Sequence, residues 1–182
     1  RLRNGPRWIS GRLGASLSFD GVDDYVDAGP IPPLTANFTI AGWVYRNAEL
    51  PPRALAMWCS QGADGKDGWA VFVQRSGEWV LHGFFKGGVA AITSGVPSAR
   101  DTWEHVTWVV DARAQPTLYL NGILVAQGRH ALPIRSPEPG IATYLGANQT
   151  PAARPDRFFQ GVLDDVRLYR RVLTAAEIAN LA

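Results

Sequence analysis

Hydrophobic positions along this chain alternate over short stretches, which is the period of β-strands rather than of helices. In residues 38–45 both alternating sets are apolar or small, a pattern typical of a central strand covered on two faces. Residues 69–73, 79–85, 106–110 and 117–120 are also short runs rich in β-forming side chains. The pattern therefore predicts a protein made almost entirely of strands.

Turn and cap signals separate these runs. Asn121-Gly122, between two apolar runs, predicts a tight hairpin because both residues accept positive φ. Thr174 and Glu177 have the spacing of a capping box ahead of Ile178, which predicts one short helix at the C-terminus. We expect an all-β, two-sheet antiparallel jelly-roll sandwich of roughly a dozen strands plus this helix. Its first and last strands should pair and bring the termini close together.

Length and charge fit one globular domain over residues 1–182, with no nucleic-acid partner. A chain of 182 residues is a normal size for one β-sandwich. The net charge is only +2, and lysine occurs only at Lys66 and Lys86, so no basic footprint for nucleic acid is present. Cys59 is the only cysteine, which rules out an internal disulfide.

The apolar runs are all shorter than the roughly 18 residues that a membrane-spanning helix needs, so we expect no membrane insertion. The sequence starts at Arg1, and no signal peptide is visible. We interpret the chain as a piece of a longer or processed polypeptide whose other domains are its neighbours.

Acidic residues interrupt strand-like apolar runs near both ends of the chain. Asp20, Asp23 and Asp24 surround Gly21, and Asp164 shares a strand face with Val162 and other apolar residues. Carboxylates in such positions are costly unless they are compensated, and Ca²⁺ binds oxygen ligands of this kind. We expect Asp20, Asp24 and Asp164 to hold a structural calcium ion. The alternatives are a solvated Asx turn for the first group and an aspartate that accepts backbone hydrogen bonds for Asp164.

Seven blocks in order give the chain a family resemblance. Residues 11–21, 24–26, 38–44, 103–107, 118–122, 161–169 and 173–178 carry it. The chain resembles the laminin-G-like domains of the concanavalin A-like lectin/glucanase superfamily. This resemblance implies a jelly-roll sandwich, with Asp164 at the acidic position of the closing strand in relatives that hold a structural calcium. It also implies that His105 is structural and that Trp43 and Trp103 fill the core.

Aromatic residues are the candidates for ligand binding, because tryptophan faces stack on sugar rings. The chain contains seven tryptophans. Trp69 is assigned to a core strand, and of the other tryptophans Trp58 and Trp79 are the better candidates for an exposed platform, with Tyr144 as a neighbour. We expect these three residues to contact a glycan. The alternative is that they are packed in the core.

Catalytic residues are not apparent. The glutamates Glu49, Glu78, Glu104, Glu138 and Glu177 are far apart in sequence, so no pair can be argued to flank a glycosidic bond. We expect a non-catalytic recognition module, binding a glycan or an extracellular protein, within a secreted or cell-surface bacterial protein. A structural or adhesion module without a glycan ligand is the first alternative. A polysaccharide hydrolase or lyase is the second.

Overall fold

A computed structural model describes residues 1–46, 56–62, 66–85, 88–150 and 154–182. Two antiparallel sheets of seven strands face each other. The first contains, in spatial order, β1 (Leu2–Arg3), β4 (Tyr25–Pro30), β13 (Ala142–Leu145), β6 (Ala56–Gln61), β7 (Trp69–Val73), β8 (Glu78–Phe85) and β9 (Gly88–Pro97). The second contains β12 (Ile123–Gln127), β11 (Pro116–Leu120), β10 (Trp103–Val110), β5 (Phe38–Tyr45), β16 (Gln160–Tyr169), β3 (Ala15–Asp20) and β2 (Arg7–Ser10).

Outside the two sheets, β14 (Asn148–Gln149) pairs with β15 (Pro155–Asp156), and α1 (Ala175–Leu181) follows β16. The predicted jelly-roll sandwich with a short C-terminal helix is confirmed. The strand number is higher than the predicted dozen, because the described residues include several pairings of only two residues. Among the described residues, no helix is long and apolar enough to cross a membrane.

The core lies between the sheets. Strand β5 is central in its sheet, and all its residues except Tyr45 are buried, as the doubly apolar pattern predicted. Phe38, Ile40 and Val44 point into the core. Trp43 therefore lies on the opposite, outer face of the sheet. It is nevertheless buried, since the Arg12 guanidinium lies 4.7 Å from its ring centroid.

The last strand does not pair with the first. The two-residue strand β1 pairs with β4 in one sheet, whereas β16 lies between β5 and β3 in the other. The expectation that first and last strands pair is therefore wrong for β1. The two acidic sequence segments do meet, because Asp20 of β3 is the register partner of Gln160 in β16.

Local turn and cap chemistry is as the sequence predicts. Asn121 and Gly122 adopt φ values of 50° and 77° between β11 and β12, the left-handed geometry of a two-residue hairpin turn. Both halves of the capping box at α1 form, since Thr174 accepts from Glu177 N–H and Glu177 accepts from Thr174 N–H. Ile178 then packs on Val109 and Leu173, which places the helix on the outer face of the second sheet.

Candidate metal centre and ligand surface

Three carboxylates converge at the turn between β3 and β4. Asp20, Asp23 and Asp24 each offer an oxygen, and these atoms lie within 4.8 Å of one another. Gly21, with φ of 80°, allows the tight turn that brings them together. Oxygens that each lie at calcium's usual 2.3–2.6 Å from one centre are separated by no more than about 5 Å. The donor set therefore fits a hard divalent cation.

Asp24 carries the electrostatic cost of this arrangement. It is 5% exposed, whereas Asp20 and Asp23 are exposed. Burial, with repulsion from the Asp20 and Asp23 carboxylates, raises the pKa of Asp24, and the hydrogen bond from Asp20 N–H to its Oδ2 (3.0 Å) opposes this rise. The Arg7 charge also favours the ionised form. A bound cation would stabilise the same ionised form much more strongly.

Asp164 does not belong to this cluster, so the predicted grouping of Asp20, Asp24 and Asp164 is wrong. Asp164 lies four residues beyond Gln160, the partner of Asp20, which corresponds to about 13 Å along a strand. Its Oδ2 accepts a hydrogen bond of 2.8 Å from Leu13 N–H. A Cβ on Gly11 would lie 2.6 Å from that oxygen, so the loop after β2 closes tightly over Asp164. The alternative of a backbone-bound aspartate is therefore correct.

The predicted exposed aromatic platform is also wrong. Trp58 is fully buried and Trp79 is 1% exposed, and their rings pack edge to face at 6.1 Å in the core. Tyr144 is 9% exposed and packs against Tyr25 at 5.0 Å, which leaves little of its ring for a ligand. Trp58 and Trp79 belong to the core cluster, whereas Tyr144 does not, because Leu145 is the residue of β13 that packs against the core. Trp103, expected in the core, is only half-buried.

The tryptophan that faces solvent is Trp8, at 64% exposure. It stands on β2, the edge strand of the second sheet, opposite Leu17. Together with Leu145 and Leu163, both line a cleft of about 230 Å³, whose wall also includes the Asp164 and Asp165 carboxylates. Sequence reasoning counted Trp8 among the tryptophans without selecting it. The available signal was its short run, 7–10, which contains Trp8 and Ile9 directly after Gly5-Pro6, because a proline beside a short strand indicates the edge of a sheet.

The described glutamates serve separate structural tasks. Glu78 accepts hydrogen bonds from Gln74 (2.7 Å) and Ser76 (2.6 Å). Buried Glu104 accepts one from the Trp79 indole. Glu177 pairs with Arg171 at 2.6 Å and caps α1. Glu138 is exposed, and Glu49 lies outside the described residues.

His105 is 2% exposed, and burial lowers its pKa to about 4. Its Nδ1 lies 3.4 Å from the Thr107 hydroxyl, and its ring packs 5.1 Å from that of Trp43. These contacts agree with the structural role that the resemblance implies. A neutral, buried imidazole among packed side chains is poorly placed to act as a general base on a bound substrate.

Comparison with known proteins assigns the family. A laminin-G-type family model, described as concanavalin A-like lectin/glucanases superfamily, matches residues 20–179. The chain belongs to this superfamily. A comparison with curated protein sequences found no match.

Solved structures show the same fold at low identity. Domain 4 of AbnA, a GH43 extracellular arabinanase from Geobacillus stearothermophilus solved with arabinotriose, matches with a TM-score of 0.79 and 17% identity, over 99% of this chain and 82% of that one. A SAP-like pentraxin from Limulus polyphemus matches with a TM-score of 0.68 and 15% identity, over 91% of this chain and 80% of the pentraxin chain. The Ruminococcus gnavus IT-sialidase CBM40 bound to α2,3 sialyllactose matches with a TM-score of 0.65 and 16% identity, over 86% of this chain and 97% of the CBM40 chain. At these identities the likeness establishes the fold alone.

Proposed function

We propose that this superfamily domain is a non-catalytic carbohydrate-recognition module of a secreted or cell-surface protein. The observation that carries the proposal is Trp8, a 64% exposed indole that lines a mostly apolar cleft in which Asp164 and Asp165 supply polar groups. An exposed indole offers the flat face that pairs with the C–H face of a sugar ring, and a few polar groups in an otherwise apolar wall suit the ring hydroxyls. Two structures of the same fold were solved with saccharides, arabinotriose and sialyllactose, which supports the ligand class without naming the sugar.

The absence of catalysis is the second part of the proposal. Glycoside hydrolysis needs two carboxyl groups about 5–10 Å apart across the scissile bond. Of the two carboxylates that line the Trp8 cleft, Asp164 is 4% exposed and accepts from Leu13 N–H, and Asp165 pairs with Arg167 at 2.8 Å. Glu104 is buried and engaged by Trp79, while Glu177 is engaged by Arg171 and the helix cap. The Asp20, Asp23 and Asp24 carboxylates are crowded within 4.8 Å, a spacing that suits one shared cation better than a sugar between them.

A structural calcium ion bound by Asp20, Asp23 and Asp24 is the third part. Bound there, calcium would offset two of the three carboxylate charges and would cross-link the β3–β4 turn. Asp20 Oδ1 already accepts from Val22 N–H at 2.8 Å, so the turn is held in the shape that presents the oxygens. Arg7 and Asn4 line the adjoining cavity of about 390 Å³, which leaves space for water ligands. The Trp8 cleft shares no lining residue with it, so the ion would act on stability rather than on the sugar.

A glycan array, followed by calorimetric titration of each hit, tests the proposal. We expect at least one saccharide to bind with a Kd of about micromolar or weaker, because isolated ring stacking contributes little free energy. Trp8→Ala should abolish this binding, whereas Val22→Ala, at another exposed apolar side chain, should leave it unchanged. Release of products from a polysaccharide panel would contradict the non-catalytic part. Absence of any glycan hit would favour the adhesion alternative instead.

A further inference from the structure

A second cavity lies at one end of the sandwich, away from the Trp8 cleft. It has a volume of about 340 Å³ and shares no lining residue with that cleft. It is formed where β5 ends, where the β7–β8 turn bends back, and where the chain passes from β9 to β10. Three arginines from these three places line it: Arg46, Arg75 and Arg100.

The charge in this cavity is predominantly positive. Arg75 and Arg100 are exposed, while Arg46 is 5% exposed, and its Nη2 lies 3.4 Å from the Ser98 carbonyl. Burial and the charge of Arg100 lower the pKa of Arg46, and Glu104 and Asp101 partly oppose this. The Glu104 carboxylate does not serve Arg46 alone, because its Oε2 accepts hydrogen bonds from the Trp79 indole N–H (2.6 Å) and the Ala99 backbone N–H (3.4 Å).

A hydroxyl donor in the cavity wall is unsatisfied. Ser98 is 5% exposed and lines the cavity, and its Oγ has no hydrogen-bond partner among the described residues. Buried hydroxyls are normally paired, because an unpaired one loses its hydrogen bonds to water without replacement. An acceptor atom from a ligand would supply the missing partner. Arginine adds planar, multiple N–H donors that match the oxygens of carboxylate and sulfate groups.

We infer that the cavity lined by Arg46, Arg75, Ser98 and Arg100 binds the carboxylate or sulfate group of an acidic saccharide. In this site Arg75 and Arg100 pair with the anionic group, the Ser98 hydroxyl donates to one of its oxygens, and Arg46 supplies the buried positive charge. The saccharide part of the inference rests on the proposed function, whereas the anion site does not. It names a ligand feature that the Trp8 cleft, with its mostly apolar walls and the Asp164 and Asp165 carboxylates, does not select.

Nuclear magnetic resonance titration with small probes tests the site at constant ionic strength. The probes are glucuronate, glucose 6-sulfate and neutral glucose, and the backbone amides of Ser98 and Arg100 are the reporters. We expect saturable shifts with one or both anionic probes and none with glucose. The two anionic probes distinguish a carboxylate site from a sulfate site.

Matched variants then assign the effect to the cavity. Arg75→Ala should weaken binding about tenfold, and Ser98→Ala about fivefold, because each removes a direct partner of the anion. Arg129→Ala, which removes an exposed arginine after β12, should leave the affinity unchanged. Ser98→Ala should not lower the melting temperature, since the hydroxyl that it removes is unpaired.

Three results would overturn the inference. They are equal shifts with glucose and glucuronate, absence of saturation at Ser98 and Arg100, or equal losses in Arg75→Ala and Arg129→Ala. The last of these would indicate general electrostatic attraction. If glucuronate bound but no glycan on the array did, the anion site would be supported and glycan recognition at Trp8 would be refuted. If a glycan bound on the array and Trp8→Ala abolished that binding, while glucuronate had no effect, glycan recognition at Trp8 would stand and the anion site would be refuted.

Discussion

The indole N–H of Trp79 donates a hydrogen bond of 2.6 Å to Glu104 Oε2 inside the core. The bond joins β8 of one sheet to β10 of the other. It satisfies the one polar atom of a tryptophan that is 1% exposed, and it engages a carboxylate that is 6% exposed. Burial raises the pKa of Glu104, while this hydrogen bond and the Arg46 charge favour its ionised form. Both residues therefore hold the sandwich together.

The first prediction concerns this pair. Glu104→Ala should lower the free energy of unfolding by about 2–3 kcal/mol, because it leaves the Trp79 and Ala99 N–H groups without an acceptor. Glu104→Gln keeps an acceptor oxygen and should cost about 1 kcal/mol or less. Denaturant unfolding measures both values, with exposed Glu138→Gln as the control. Equal stability of Glu104→Ala and wild type would show that the bond contributes nothing.

The second prediction concerns calcium. Calcium at a hundredfold excess over its Kd should stabilise the fold by about 2.7 kcal/mol, because it binds the folded state alone. Asp24→Asn should abolish the rise in melting temperature, since it removes the buried carboxylate of the cluster. Asp164→Asn should retain it, because Asp164 lies elsewhere on β16. The site would be refuted if calcium did not change the melting temperature of protein shown to be metal-free, and chelator did not change that of protein shown to be metal-loaded.

The third prediction separates surface from core tryptophans. Trp8→Ala should abolish saccharide binding and change the free energy of unfolding by about 0.5 kcal/mol or less, because Trp8 is 64% exposed. Trp58→Ala should cost about 3–5 kcal/mol, as a large-to-small change at a fully buried position. Calorimetric titration and thermal unfolding measure the two effects. If Trp8→Ala bound saccharide like wild type, the cleft would not be the sugar site.

The fourth prediction concerns pH. The pKa of His105 is about 4 in the folded protein, against an ordinary value of 6.5. The unfolded state therefore takes up the proton first as pH falls, so His105 stabilises the fold above pH 6.5 and this contribution is lost towards pH 4. Between pH 7 and pH 5 the loss should be about 2 kcal/mol.

Denaturant unfolding of wild type and His105→Gln at both pH values measures this loss. The contributions of Asp24 and Glu104, whose pKa values are raised by burial, are common to both proteins and cancel in the difference. A pH dependence that is identical in the two proteins would show that His105 is not responsible.

Local sequence determined the elements of this protein. Positive φ at Asn121 and Gly122 depends on residue type and neighbours alone, and so does the Thr174–Glu177 capping box. The double apolar pattern of β5 likewise follows from side chains that alternate along one strand. Contacts of this kind span few residues, which is why the jelly-roll class and the C-terminal helix were predictable.

Tertiary structure decided where the functional groups lie. The sequence indicated that the strands of Asp20 and Asp164 are neighbours, but their register, with Asp20 opposite Gln160, arises from packing between segments some 140 positions apart in the sequence. Alternation likewise indicates that Trp58 and Trp8 each have a preferred face, but whether a face is covered depends on the element that packs against it. Trp58 lies beneath the opposite sheet and Trp8 stands on an uncovered edge strand, and only the assembled sandwich distinguishes them.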